Sequence, residues 1–274
     1  MFFGSFWTLG LTTPKMVRPG SRRDLRWSRS NLEVVRWVSL WRGFSFVSIL
    51  LGTAAGDKWG VAPAATVKSV KVLSDQGSGS WSWSYYALDW LANNPTRPAI
   101  ASMSLGGSGT QQAMADAVNG AVNSGVVVVV AGGNSNSDAC RFSPAFVPSA
   151  ITVGSTTSTD ARSSFSNYGS CTNIWAPGSS VKSASHRSDT GSTSLSGTSM
   201  ACPHVSGAAA ILFDTDPSKS AAAILAEMLD NAVLNALKDL KNGDTNALLY
   251  VAEGGPPPTP EPVPTPAPSP FFWR

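Results

Sequence analysis

Val126 to Ala131 is an unbroken apolar run, five valines and an alanine. A run this short and β-branched reads as a strand. Continuous rather than alternating apolarity is what a strand needs when both of its faces are buried, as in a parallel sheet covered by helices. The neighbouring segments agree. Thr66-Val67-Lys68-Ser69-Val70-Lys71-Val72-Leu73 alternates like a strand, and Ile100 to Leu105 reads as another. Ser82 to Asn93 has a helix-like mix. Met114, Val118, Ala121 and Val122 recur at helical spacing until Ser124-Gly125 ends the pattern. Strand, helix, strand, helix, strand predicts an α/β fold with a doubly wound, mostly parallel sheet, whose sites lie at the C-terminal ends of the strands.

Gly-rich loops fall at those ends. Ser104-Leu105-Gly106-Gly107 follows the second strand, Ala131-Gly132-Gly133-Asn134 follows the third, and Gly77-Ser78-Gly79-Ser80-Trp81 precedes the first helix. Each alone is loop punctuation. Further on comes Gly197-Thr198-Ser199-Met200-Ala201-Cys202-Pro203-His204-Val205-Ser206-Gly207, then Ala208-Ala209-Ala210-Ile211-Leu212. Glycine and threonine before Ser199 suit a tight turn, and the run after it is compact and apolar. A serine at a helix N-terminus sits at the positive end of the helix dipole, where free N–H groups can meet a developing oxyanion. Pro203 fits the first turn and places the helix start at about Ser199. The pattern is not the Gly-x-Ser-x-Gly elbow of α/β-hydrolases such as lipases, because Ala201 stands where the last glycine would be.

Taken in order, these blocks resemble the subtilisin family of serine peptidases, closest to its proteinase K and aqualysin branch, from about Gly52 to Tyr250. Gly60-Val61-Ala62-Pro63, Ser143-Pro144-Ala145, Ser163 to Ser170 and Asn246-Ala247-Leu248-Leu249-Tyr250 add to the match. The resemblance implies a subtilisin-like three-layer sandwich and a secreted endopeptidase that cuts polypeptides through an acyl-serine. It gives Ser199 the role of nucleophile, and Asn134 that of side-chain donor in the oxyanion hole beside the Ser199 N–H. Gly77, Ser78 and Gly79, with Ser104, Leu105 and Gly106, become the two edge segments between which substrate pairs as an added strand. Gly132 and Gly133 become the floor and rim of the pocket for the residue before the cut. Trp81 and Leu105 line an apolar subsite farther upstream, with core packing as the alternative. Cys140 and Cys171 match a disulfide pair of the branch, the alternative being three small core cysteines, and Cys202 is a free buried thiol. No cofactor is required and no metal ligand is assigned. Val147-Pro148-Ser149-Ala150 resembles a calcium segment whose carboxylate position is Asn173 here, so a structural calcium would be weak or missing.

The same resemblance exposes a gap. The base of the family lies in His-Gly-Thr-His-x-Ala-Gly-Thr, whose last two residues match Gly52-Thr53. Counting back six from Gly52 lands on Phe46. No Asp-Thr-Gly precedes Gly52, and Asp189-Thr190-Gly191 lies too close to Ser199 to replace it. The chain has two histidines: His186 in a polar stretch, and His204 on the helix after the nucleophile. The expectation is therefore an N-terminally incomplete chain, without the Asp strand and the start of the His helix, and nearly inert as it stands. The alternative is a non-catalytic pseudopeptidase that binds extended peptides by strand addition.

Residues 1–50 stand apart, as a basic and aromatic segment expected to lie outside the fold. Eight Lys and Arg against two acids give them +6, leaving −3 of the overall +3 to the rest. The remainder has no basic face to attract nucleic acid. As a signal peptide the segment lacks a basic start; its Arg-rich, acid-poor character also resembles a transit peptide. The favoured reading is a segment foreign to the fold, such as a misjoined exon. Residues 51–252 form the partial peptidase domain. Residues 253–274, with prolines through Pro270, read as an extended linker or tail. No run of eighteen apolar residues implies a membrane span. A monomer acting on polypeptides is expected.

Overall fold

The computed structural model describes residues 6–10, 45–74, 77–94, 97–188 and 190–251. Its elements are β1 (Phe6–Gly10), α1 (Ser45–Ala55), β2 (Thr66–Val70), α2 (Trp81–Asn93), β3 (Ala99–Met103), β4 (Gly107–Ser108), α3 (Gln112–Asn123) and β5 (Val126–Ala131). There follow β6 (Phe142–Ser143), β7 (Ile151–Thr156), β8 (Ile174–Pro177), β9 (Val181–Ala184), β10 (Ser192–Leu195), α4 (Thr198–Thr215), α5 (Ala221–Asp230), β11 (Val233–Leu234) and β12 (Ala247–Leu248). The main sheet runs β11-β12-β8-β7-β5-β3-β1-β2. β3, β5, β7, β8 and β12 are mutually parallel.

β5 occupies the middle of this parallel set, and all six of its residues are buried. Alternation of side chains along a strand sends them to opposite faces. Val127, Val129 and Ala131 join one core cluster with Ile49, Ile100, Val205 and Phe213. Val126, Val128 and Val130 join the other, with Leu88, Met103, Met114 and Val118. One layer therefore holds α1, α4 and α5, and the other α2 and α3, as expected of a doubly wound sheet. Each fully buried valine contributes about 1.5–3 kcal/mol.

The expectation that residues 1–50 lie outside the fold needs correcting at both ends of that segment. Phe6–Gly10 forms the strand next to the sheet edge, antiparallel to β3 on one side and to β2 on the other. β3 is buried along its whole length, so an unpaired edge there would leave buried backbone groups unsatisfied, and β1 supplies their ladder. At the other end α1 begins at Ser45, and Ile49 and Leu50 are fully buried. The side chain of Phe46 lies outside the described residues, as do Asp189 and the Pro-rich 253–274.

Candidate active site

α4 begins at Thr198, after Gly197 as N-cap, which puts Ser199 in its first turn and Pro203 inside the helix rather than at its first position. A proline has no N–H to give to the carbonyl four residues back, so the Ser199 carbonyl loses its helical donor. Ser104, at the end of β3, replaces it: its hydroxyl donates to the Ser199 carbonyl at 2.9 Å. The Ser199 hydroxyl in turn donates to the Ser104 carbonyl at 3.4 Å. Strand end and helix start are thus tied reciprocally, and Ser199 is 6% exposed.

Asn134 follows β5, one strand further along the sheet. Its Oδ1 accepts from the Thr198 N–H at 2.8 Å and from the Thr198 hydroxyl at 2.9 Å. The Thr198 N–H, a fixed donor, settles which end of the carboxamide is oxygen, and Nδ2 makes no hydrogen bond among the described residues. That N–H₂ stands beside Gly197, two residues before Ser199. The Thr198 hydroxyl also accepts from the Gly133 N–H at 3.0 Å. Behind this loop, buried Asn167 donates to the Gly132 carbonyl at 2.9 Å and accepts from the N–H groups of Ser135 and Ser137 at 2.9 and 3.1 Å. Gly133 has φ +104°, and a Cβ there would run into the Asn167 carboxamide, so only glycine fits.

These elements enclose a cleft of about 280 Å³ open to solvent, lined by Leu105, Gly106, Gly132, Gly133, Asn134 and Ser199 among others. Six of the residues singled out in the sequence therefore meet around one cavity. Ser104 lies just behind it. Gly77, Ser78 and Gly79 do not line the cleft; they sit in the turn before α2, where the Ser74 N–H donates to the Ser78 carbonyl at 2.7 Å. Trp81 is not in the lining either. Its indole fills the space over Gly107, where a Cβ would stand 2.9 Å from the ring. Thr198, Phe142, Ser143 and Asn167 were missed. Thr198 was legible as the neighbour of Ser199, but Phe142 and Ser143 meet the site through the pairing of β6 with β4, and Asn167 through its hydrogen bonds to the Gly132–Ser137 loop.

Neither histidine is hydrogen-bonded to Ser199. The His204 ring is held on its own helix, with Nδ1 2.9 Å from the Met200 carbonyl. Burial pushes its pKa below the ordinary imidazole value, only partly offset by that hydrogen bond. His186 follows β9, and its Nδ1 is buried without a partner among the described residues. Cys202 is a fully buried free thiol, pushed up in pKa by desolvation and moderated by hydroxyls of Ser102, Ser104 and Ser206.

Cys140 and Cys171 form a disulfide across a sequence separation of 31. In the segment that resembles a calcium site, two oxygens are engaged within the chain. Asn173 Oδ1 already accepts from the Thr152 N–H at 2.7 Å, and the Val147 carbonyl from the Ala150 N–H at 3.1 Å. Among the described residues no group of three or more His, Cys, Asp or Glu side chains could hold a metal. Nor is any helix among them long and apolar enough to cross a membrane.

A serine in the first turn of a helix and an asparagine clamped beside it thus sit at one end of a doubly wound sheet, and comparison with known proteins gives the class. Residues 43–252 match the Subtilase family, and the chain belongs to that family. It is 48% identical over 199 residues to the extracellular serine proteinase of Thermus sp. (strain Rt41A), covering 73% of this chain and 48% of that protein. Over 216 residues it is 48% identical to alkaline serine exoprotease A of Vibrio alginolyticus, covering 76% and 40%. The crystal structure of a cold-adapted subtilisin-like serine proteinase superposes with a TM-score of 0.73 at 45% identity, over 77% of this chain and 76% of that one. The chain spans about half the length, or less, of the curated relatives named here. Its architecture is the subtilisin-like α/β sandwich.

Proposed function

We propose that the cleft is the acyl-transfer site of a serine endopeptidase, with Ser199 as nucleophile and with Asn134 Nδ2 and the Ser199 N–H as the oxyanion hole. The observation that carries this reading is the Thr198 clamp, which holds the Asn134 oxygen and leaves its N–H₂ free beside Ser199. Preorganised donors of this kind stabilise the tetrahedral intermediate; on subtilisin itself, losing the asparagine costs about 10²–10³ in turnover. Ser104, Leu105 and Gly106, with Gly77, Ser78 and Gly79, hold an extended polypeptide by backbone pairing. Gly132 and Gly133 border the pocket for the residue before the cut, and Trp81 and Leu105 an apolar subsite upstream. The protein works outside the cell, as a monomer and without a required cofactor. The name of the Thermus relative and the Cys140–Cys171 bridge support the extracellular part.

The 274-residue chain itself binds polypeptide but cuts it at or near background. Ser199 attack needs a base, and the Nδ1 of His204 is engaged by the Met200 carbonyl. On subtilisin itself, losing the histidine costs about 10⁶ in turnover. The test compares this chain with a chimera whose residues 1–51 are replaced by the matching segment of the Thermus proteinase, both assayed on a fluorogenic polypeptide. The expected result is a gain of at least about 10³-fold in the chimera, abolished by Ser199→Ala. A folded but inert chimera would sink the peptidase reading. Cleavage by the chain itself within about tenfold of the chimera would sink its inactivity.

A further inference from the structure

α2 presents three aromatic side chains to solvent. Its buried residues are Ser84, Ala87, Leu88 and Leu91, whereas Trp83, Tyr86 and Trp90 are 47, 73 and 49% exposed. Spacings of three and four put these three on one face, where amphipathic packing would place polar side chains. The other large hydrophobic residues exposed among the described residues are Leu234 and Val251, both far off in the chain. The aromatics therefore form a row rather than a scatter, and a contiguous apolar patch of this kind marks an interaction face. From Trp83 to Trp90 the row is about 10 Å long. It begins beside the Gly77–Gly79 turn, because the Trp83 ring lies 3.3 Å from where a Cβ on Gly79 would stand.

A chemistry that suits such a row occurs in the same chain. Nine prolines fall between Pro256 and Pro270, at every second position from Pro258 onward. That composition favours a polyproline helix, with three residues and about 9 Å per turn, close to the length of the row. Proline-rich segments of this kind dock against aromatic rings, and a preformed extended helix gives up little entropy on binding. With a proline at every second position each turn carries at least one, so no single register is demanded.

Topology brings the segment within reach. β12 is parallel to β8 and, through β7 and β5, to β3, so the chain leaves β12 at the C-terminal end of the sheet. β2 and β3 are parallel to each other, each being antiparallel to β1. α2 joins the C-terminal end of β2 to the start of β3 and so sets out from that same end. Four strand spacings separate β12 from β3, about 19 Å, and a helix layer adds about 10 Å. Pro258 to Pro270 lie seven to nineteen residues beyond Val251, about 22–59 Å of polyproline helix. Gly254-Gly255, ahead of the first proline, put no steric bar on a turn.

We infer that the row of Trp83, Tyr86 and Trp90 is the docking face for the proline-rich segment Pro258 to Pro270 of the same chain, laid along α2. The tether holds the segment at an effective concentration of the order of millimolar, so contacts too weak to join two molecules suffice. The inference does not rest on the chemistry of Ser199.

The test uses the full chain with benzoylphenylalanine in place of Tyr86, an exposed position where substitution is tolerated. Irradiation followed by mass mapping should cross-link position 86 to residues 256–270, and a mixture of isotope-labelled and unlabelled chains should show the link to be within one molecule. Adding Trp83→Ser and Trp90→Ser should lower the yield at least about tenfold, as loss of aromatic anchors does, with the circular dichroism spectrum unchanged. Cross-links to another segment or to a second copy, or no cross-link at all, would overturn the docking. So would a yield that the two serines leave unchanged.

Discussion

The Ser104 hydroxyl lies 2.9 Å from the Ser199 carbonyl, the acceptor from which Pro203 withholds its helical hydrogen bond. A proline that would ordinarily weaken a helix is thus compensated from the end of β3. Helix start and strand end become one unit, and the position of Ser199 is set by both. Ser104 is completely buried, so water cannot take its place.

Ser104→Ala should therefore cost about 1–3 kcal/mol, the penalty of an unsatisfied buried acceptor. The cost should shrink in a Pro203→Ala background, where the substituted residue supplies the missing N–H. A double-mutant cycle by urea unfolding measures the difference; strict additivity would contradict the compensation.

Asn167 holds the Gly132–Ser137 turn through three hydrogen bonds from full burial. Asn167→Ala should destabilise by about 3 kcal/mol, since two N–H groups and a carbonyl lose their partner together. Hydrogen exchange should rise first at Ser135 and Ser137. Equal exchange there would mean that the turn holds itself.

Stability should fall as the pH is lowered through the imidazole range. Burial depresses the His204 pKa in the fold, against an ordinary value of 6.5. Below that value the unfolded chain takes up a proton that the folded chain refuses, so the unfolded state gains. The His204 contribution is complete above about pH 6.5 and is lost as the pH falls towards the depressed folded value. Urea midpoints at about pH 7.5 and about pH 5 should differ less in His204→Gln than in the unsubstituted chain.

Cys202 should ignore a thiol reagent until the chain unfolds, because it is wholly buried and its thiolate is disfavoured. One thiol per chain should then react. Cys140→Ser with Cys171→Ser should lower stability by roughly 3–4 kcal/mol on the chain-entropy estimate for a loop of this size. Thermal melts of the two forms provide the check.

The sheet was legible where side-chain pattern alone decides. Val126–Ala131 is the strand read from its apolarity, and the Ser124-Gly125 stop coincides with the end of α3, where Gly125 has φ +91°. Ser199 stood out by its turn and helix start, whereas Asn134 and the paired glycines, at strand ends, stood out only through the resemblance to the family. β1 was not legible, since five residues carry no periodicity and owe their conformation to ladders far away in sequence. Pro203 also read differently, as a mark of the helix start, because the Ser104 hydroxyl that makes an interior proline tolerable arrives from ninety-five residues upstream of its acceptor. Phe142 and Ser143 reach the cleft by strand pairing that no local pattern announces.

The Thr198 clamp on Asn134 has a consequence for timing. Turning the carboxamide over would place its N–H₂ against the Thr198 N–H, a fixed donor, so the group has one orientation whether or not a carbonyl is present. Its N–H₂ is aimed when the chain folds, and on the proposed reading an arriving substrate has no amide to reorient.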